Sequence, residues 1–207
     1  MSTELFFLYD THCPWSYATT PLVEAIHNDL PEIDINLWHC AHFCGEDESK
    51  VTKKQITEVK SLTNISCSPR YIEKLSQAKD STLCANLMTW AANKTPKQAL
   101  TLLKSLQKIH FEGANELTNE QDVADIISKL KLSPPSKVLK SDKLTNDAEA
   151  QVHEIFALQE IIATEAIPAL LLAIDDQLIL LNHNFYLDEP SAIVDAVKLE
   201  IEKSTAL

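Results

Sequence analysis

Strand-like segments lie at the two ends of this 207-residue sequence, and the stretch from about Glu46 to Ala150 between them carries helical patterns with no convincing strand. Leu5-Phe6-Phe7-Leu8-Tyr9 is an apolar run that stops at Asp10-Thr11-His12, as a buried strand breaking into a turn does. From Pro14 onward, Tyr17, Pro21, Leu22, Ala25, Ile26 and Leu30 recur at helical spacing until Pro31 ends the pattern, with Pro21 expected to kink the helix. Ile33 to Trp38 then alternates apolar and polar residues. Strand, helix and strand joined this tightly predict a right-handed parallel crossover.

The helical patterns of the middle run over Ile72 to Ala78, Leu83 to Ala92, Pro96 to Phe111 and Glu120 to Leu130, the last opened by a cap at Thr118-Asn119-Glu120-Gln121. A further helix is expected over Asp147 to Thr164. Ala169–Ile174 and Gln177–Leu181 flank Asp175-Asp176 as a hairpin, and Ser191 to Lys203, opened by Glu189-Pro190-Ser191, closes the chain. This order is that of an α/β thioredoxin fold with an all-helical insertion in its middle. The expected division is a thioredoxin-like domain made of 1–45 and 150–207, interrupted by a helical insertion at 46–149. No repeat or flexible linker separates the parts, so they are expected to pack as one unit. The helical part is then placed to form a lid over a site on the thioredoxin part.

A net charge of −12 disfavours partners such as nucleic acid or an anionic membrane. Met1-Ser2-Thr3-Glu4 has no basic region and Leu5–Tyr9 is too short for a signal core or a membrane span, so a cytoplasmic location is expected. The five cysteines, at 13, 40, 44, 67 and 84, are an odd number for a reducing compartment, which points away from a disulfide framework and toward thiol reactivity. Two glycines, Gly45 and Gly113, leave no Gly-rich phosphate loop.

Cys13-Pro14-Trp15-Ser16 follows the first strand and opens the first helix, where unpaired amides and the positive end of the helix dipole favour a thiolate. Cys13 is thus the candidate nucleophile; the plain alternative is a small buried hydrophobe. His12 can add positive charge beside it, provided its ring faces the sulfur. Ser16, one turn on, can donate a hydrogen bond to the thiolate or simply sit on the helix surface.

Phe6 to Tyr17, with Cys13-Pro14-Trp15-Ser16 at its centre, resembles the active-site segment of DsbA-like, FrnE-type thiol-disulfide oxidoreductases, which normally carry Cys-Pro-Trp-Cys. Glu165-Ala166-Ile167-Pro168-Ala169-Leu170 is similar to the segment holding that family's cis-proline, and His110 to Thr118 resembles part of its helical insertion. The resemblance implies a cis peptide before Pro168, with Ile167 offering its amide and carbonyl to an extended substrate. Without it, Pro168 reads as an ordinary proline at a strand start.

Serine at position 16 removes the family's resolving thiol, which excludes a two-cysteine cycle within the motif. A one-thiol site can still form mixed disulfides with a protein or with glutathione, so isomerase, reductase or glutathione-linked chemistry fits better than net oxidation. Cys40 and Cys44, just after the second strand, are candidate substitute resolving thiols. No tightly bound cofactor is expected, glutathione is a candidate co-substrate, and the Cys40–Cys44 segment with His39 is too sparse to imply a metal. Cys84 reads as core, and Cys67 is assigned no chemistry.

Trp15, Tyr17, Trp38 and Trp90 can line a groove at the thiol or fill core, with Trp15 expected to be exposed. The competing function is a glutathione-dependent transferase or isomerase, because kappa-class and hydroxychromene-carboxylate isomerase relatives share a similar Pro-aromatic-Ser segment; Asn182-His183-Asn184 matches neither family. A redox-inactive binding or chaperone-like protein is the third reading. The resemblance also brings in a homodimer as an expectation, since the family includes dimers.

Overall fold

The computed structural model describes residues 2–46 and 50–205; Met1 and residues 47–49, at the start of the expected helical segment, lie outside them, as do 206–207. The chain begins with β1 (Thr3–Tyr9), α1 (Pro14–Asp29) and β2 (Asp34–His39). Helices α2 (Lys53–Leu62), α3 (Pro69–Glu73), α4 (Thr82–Lys94), α5 (Pro96–Phe111), α6 (Glu120–Lys129), α7 (Ser136–Lys140) and α8 (Asn146–Ile161) follow. Then come β3 (Ala169–Ile174), β4 (Gln177–Leu181), two short 3-10 turns at His183–Tyr186 and Pro190–Ala192, and α9 (Ile193–Thr205). The sheet order is β2-β1-β3-β4. β1 runs parallel to β2 and antiparallel to β3, with Phe7 opposite both Leu37 and Leu170.

Alternation along the strands makes two cores. Leu5, Phe7, Tyr9, Leu37, Leu170 and Leu172 face a large cluster that also takes Leu22 and Ile26 of α1, Leu87 and Met88 of α4, Leu102 and Leu106 of α5 and Val197 of α9. Leu8, Ala169 and Leu171 face the other side, where Ile155 and Leu158 of α8 cover them and Trp38 joins the edge. The large cluster is continuous between the strand-bearing ends and the middle helices, because the lower face of one sheet needs helices from both to keep it dry.

Several local details depart from the sequence patterns. The helix expected at Ile72–Ala78 is instead the short α3, started by Ser68 as cap and Pro69 at its first position. It stops because the chain turns at Lys74, whose carbonyl accepts from the buried Lys79 ammonium at 2.9 Å. Helix α8 ends at Ile161, before the left-handed Ala163, rather than at Thr164. The closing segment starts as a 3-10 turn at Pro190 and becomes α-helical only at Ile193. Helices α2 and α7 fall where no pattern was read: α2 is held by a Thr52–Gln55 capping box and buries only Ile56 and Val59. Helix α1 runs on through Pro21, with the Thr19 and Thr20 hydroxyls donating to the Trp15 and Ser16 carbonyls at 2.9 Å. Among the described residues no helix is long and apolar enough to cross a membrane.

The interior also holds ionisable groups that must stay in one protonation state. His39 is buried; the Ala41 amide donates to its Nδ1 and the Thr11 amide to its Nε2, each at 3.1 Å, with the Thr11 hydroxyl 3.0 Å from Nε2, so backbone donors face both ring nitrogens and disfavour a doubly protonated ring. Burial pushes its pKa down to about 4, and burial likewise lowers His12 and His110. In the unfolded chain each imidazole takes up a proton as pH falls below its ordinary value, while in the fold each stays neutral. Stability is therefore expected to fall from about pH 6.5 toward pH 4, with His39 alone contributing about 3 kcal/mol over that interval. Urea unfolding at several pH values checks this: His39→Gln should flatten the slope, whatever it does to the baseline.

Candidate active site

Three segments that are remote in sequence build the site. β1 ends at Tyr9, and a turn closed by the Cys13 amide on the Asp10 carbonyl at 3.1 Å delivers Cys13 to the start of α1. Cys13 is the helix cap residue: its backbone is extended, its carbonyl accepts from the Tyr17 amide at 3.0 Å, and Pro14 fills the first helical position. The sulfur thus sits at the positive end of a 16-residue helix whose first turn carries no acidic side chain.

Cys13 is only 7 % exposed. It packs in a third apolar cluster with Phe43, Tyr71, Leu75, Phe111 and Ala114, against which Trp15, Tyr17, Cys67 and Ile167 are half-buried. The middle helices therefore cover the thiol as a lid, and that cover changes its chemistry. Burial pushes the Cys13 thiol up, opposed by hydrogen bonds from the Ser16 amide and hydroxyl and from the Trp15 amide. The expected thiol of lowered pKa is thus not what the closed structure holds, because desolvation outweighs these donors.

Ser16 is fully buried, its oxygen accepts from the Asp10 amide at 3.2 Å, and its hydroxyl lies near enough to Cys13 to favour the thiolate. His12 does not supply charge to the sulfur. Its Nε2 donates to the Glu116 carbonyl at 3.0 Å, its ring lies 4.2 Å from that of His110, and burial keeps it neutral. The residue beside it that patterns gave no role is Asp10, fully buried and ionised. Its carboxylate accepts from the His12 amide (2.8 Å), the His42 amide (2.8 Å), the Phe43 amide (3.4 Å) and the Ser81 hydroxyl (2.6 Å). Burial raises its pKa, but the charge that His39 and His12 take on once acid protonates them, the Ser81 hydroxyl and the His12 amide outweigh that and hold it below the usual carboxylate range.

The other cysteines are thiols too. Cys40 donates its amide to the Tyr9 carbonyl at 2.8 Å and packs on the sheet face covered by α8, not in the cluster of Cys13; burial raises its pKa, and Asp10 and then Cys13 add to that. Cys44 is exposed and forms an isolated bridge with Asp80. Cys84 is core, as its pattern indicated. Cys67 is the cysteine that shares the Cys13 cluster, a placement its surrounding loop sequence did not signal. Among the described residues no group of three or more His, Cys, Asp or Glu side chains could hold a metal ion.

Of the four aromatics, Trp15 and Tyr17 border the thiol, Tyr17 stacking on Phe111 at 4.6 Å and donating to Glu112 at 2.9 Å. Trp15 is half-buried rather than exposed, while Trp38 and Trp90 belong to the other two clusters. The Ile167–Pro168 peptide is cis. Trp15, Ile167 and Pro168 line an open groove of about 810 Å³ with Leu62, Leu180 and the Asn182-His183-Asn184 stretch.

If Ser16 is what favours the thiolate, Ser16→Ala should move the alkylation profile of Cys13 upward by about one pH unit. Mass spectrometry of the Cys13 peptide after timed iodoacetamide treatment reads this directly, and an unmoved profile would assign Ser16 to packing alone.

No family model matches the chain, and no curated protein matches it in sequence. Solved structures match it in shape. The cytosolic disulfide reductase DsbM from Pseudomonas aeruginosa has a TM-score of 0.78 at 18% identity, over 96% of this chain and 98% of that one. The structure of DsbM with GSH gives 0.75 at 17%, over 99% and 100%. A candidate protein disulfide isomerase from Nitrosomonas europaea gives 0.71 at 12%, over 97% and 98%. At such identities the likeness carries the architecture, and the chain has a thioredoxin fold of the DsbA-like kind, with its middle helices laid over Cys13.

Proposed function

We propose that this protein is a thiol-disulfide exchange enzyme, a reductase or isomerase, working through the single thiol of Cys13. The observation that carries the reading is the placement of Cys13 as cap of α1, with Ser16 near enough to favour its thiolate and Ile167 packed on the same cluster. A group in that position can attack a disulfide and be held while the partner leaves.

In the first step the Cys13 thiolate bonds to one sulfur of a substrate disulfide, that S–S bond breaks, and the departing sulfur leaves as a thiolate that takes a proton from water. In the second, a thiol resolves the mixed disulfide. A thiol of the same substrate attacks the substrate sulfur and releases Cys13, which is isomerisation; glutathione or another external thiol attacks the Cys13 sulfur and releases the reduced substrate, and a second external thiol then takes the first off Cys13 as their disulfide, which is reduction. Ser16 has no sulfur to attack with, so the resolving thiol lies elsewhere; Cys40 and Cys44 are the candidates the sequence offers, and Cys67 is the cysteine that shares the Cys13 cluster. Ile167 offers its backbone to the substrate on the strength of the family resemblance, and Pro168 fixes that loop. His12, Pro14 and Trp15 shape the surroundings of the sulfur. The DsbM likeness supports a cytosolic reductase assignment, and the DsbM structure with GSH supports glutathione as co-substrate.

Cys13→Ala should abolish both exchange with a model disulfide and the adduct formed with oxidised glutathione, read by intact mass; full exchange in that variant would sink the assignment. Ser16→Cys should restore a resolving thiol, so that the oxidised protein loses two hydrogens within the Cys13–Ser16 segment.

A further inference from the structure

The groove beside Cys13 is built without charge. Its apolar wall is Trp15, Leu62, Ile167 and Leu180, and its polar wall is Thr164 and the Asn182–Asn184 stretch. No Lys, Arg, Asp or Glu lines it among the described residues, and burial lowers the pKa of His183, so that ring adds no charge at neutral pH.

The charge lies on the rim, and it is negative. Glu165 is exposed between Thr164 and Ala166, both of which line the groove. Glu160, also exposed, joins Glu165 and Phe156 around an adjoining hollow that shares Thr164. Leu180 in the groove and Phe156 in the hollow are exposed, at 47% and 56%.

Several cations are committed elsewhere. Arg70, the single arginine of the sequence, lines a separate polar pocket with Lys74, and Lys74 is paired there with Glu116 at 2.5 Å. Lys60 lies two residues before Leu62, but its field is felt at Cys67. Lys79 is buried with its ammonium on the Lys74 carbonyl.

A ligand rich in carboxylates, such as glutathione, would therefore enter a groove with no counter-charge, past two carboxylates, on a chain of net charge −12. An apolar stretch of polypeptide with a basic side chain next to its disulfide meets the opposite conditions. Its side chains cover exposed apolar surface while the base lies at Glu165 and Glu160.

We propose that the groove selects protein disulfides whose cysteine is flanked by uncharged apolar residues and a neighbouring Lys or Arg, with oxidised glutathione the poorer disulfide substrate on charge. This rests on the exchange reading above and names its substrate class; glutathione keeps its part there as an external thiol that clears the mixed disulfide.

The test compares rates of mixed-disulfide formation at Cys13, followed by quenched-flow mass spectrometry on the full chain. The probes are 4,4′-dithiodipyridine, oxidised glutathione, and two homodimeric peptide disulfides with the same apolar residues, one carrying Lys and the other Glu beside the cysteine. The Lys peptide should react about tenfold faster than the Glu peptide at low salt, with the ratio collapsing as salt screens the rim. Glutathione disulfide should be slower than either. In the Glu160→Gln/Glu165→Gln double variant, with each rate divided by that of dithiodipyridine on the same protein, the Lys-to-Glu ratio should approach one. Equal peptide rates, or a ratio untouched by the double variant, overturn the selection and leave the exchange reading standing. No reaction of Cys13 with dithiodipyridine overturns that reading and this proposal with it.

Discussion

The carboxylate of Asp10 is the point on which the site hangs. A buried charge survives only if donors replace the water it has lost, and Asp10 collects its donors from three parts of the chain. The His12 amide belongs to its own turn, the His42 and Phe43 amides to the loop after β2, and the Ser81 hydroxyl to the start of α4. Its own amide meanwhile binds Ser16. One carboxylate thus clamps the loop before Cys13, the loop carrying Cys40 and Cys44, and the front of the helical lid. Displacing any of these would leave an uncompensated buried charge, which costs several kcal/mol.

That clamp also explains why His12 and His39 stay neutral. Each lies within 4 Å of an Asp10 oxygen, at 3.7 and 3.9 Å, and an ion pair would be the expected outcome in water. Here the carboxylate is already satisfied by amides and a hydroxyl, His12 donates its Nε2–H to the Glu116 carbonyl, and the Ala41 and Thr11 amides donate to the two ring nitrogens of His39. Adding a proton to either ring would require burying a second charge, which desolvation opposes.

The frame was legible from the sequence because it rests on local signals. The apolar run at Leu5–Tyr9, the hairpin across Asp175-Asp176 and the helix from Pro96 to Phe111 each carry their own period and their own stops, and the strands of the hairpin and that helix have the bounds that the patterns set. Cys13 was placed for the same reason, since a strand followed by Cys-Pro fixes the sulfur at a helix start. What could not be read is everything that depends on contact across the chain. The partners of Asp10 lie up to 71 residues away. The rise in the Cys13 pKa comes from Tyr71, Phe111 and their neighbours closing over it, and no window of sequence around residue 13 contains them. The same holds for Cys67, whose loop carries no pattern until α3 and α5 bring it to the thiol, and for α2, which is too polar to announce itself and is fixed by a cap.

The balance at Cys13 bears on the direction in which such a site works. A strongly oxidising disulfide needs an attacking thiol whose anion is greatly stabilised, because a stabilised thiolate is a good leaving group and the reduced state is favoured. In this chain the Ser16 donors and the helix end pull that way, but the apolar lid pulls harder in the other, and the second cysteine that would store the oxidised form is a serine. A thiolate that is less stabilised is a better nucleophile once formed and a poorer leaving group once bonded. Opening of the lid by a substrate would expose the sulfur to solvent and relieve the desolvation that keeps it protonated, so ionisation would be coupled to substrate arrival. Such a thiol suits attack on disulfides that others have made, which is the work of a reductase or an isomerase rather than of an oxidant.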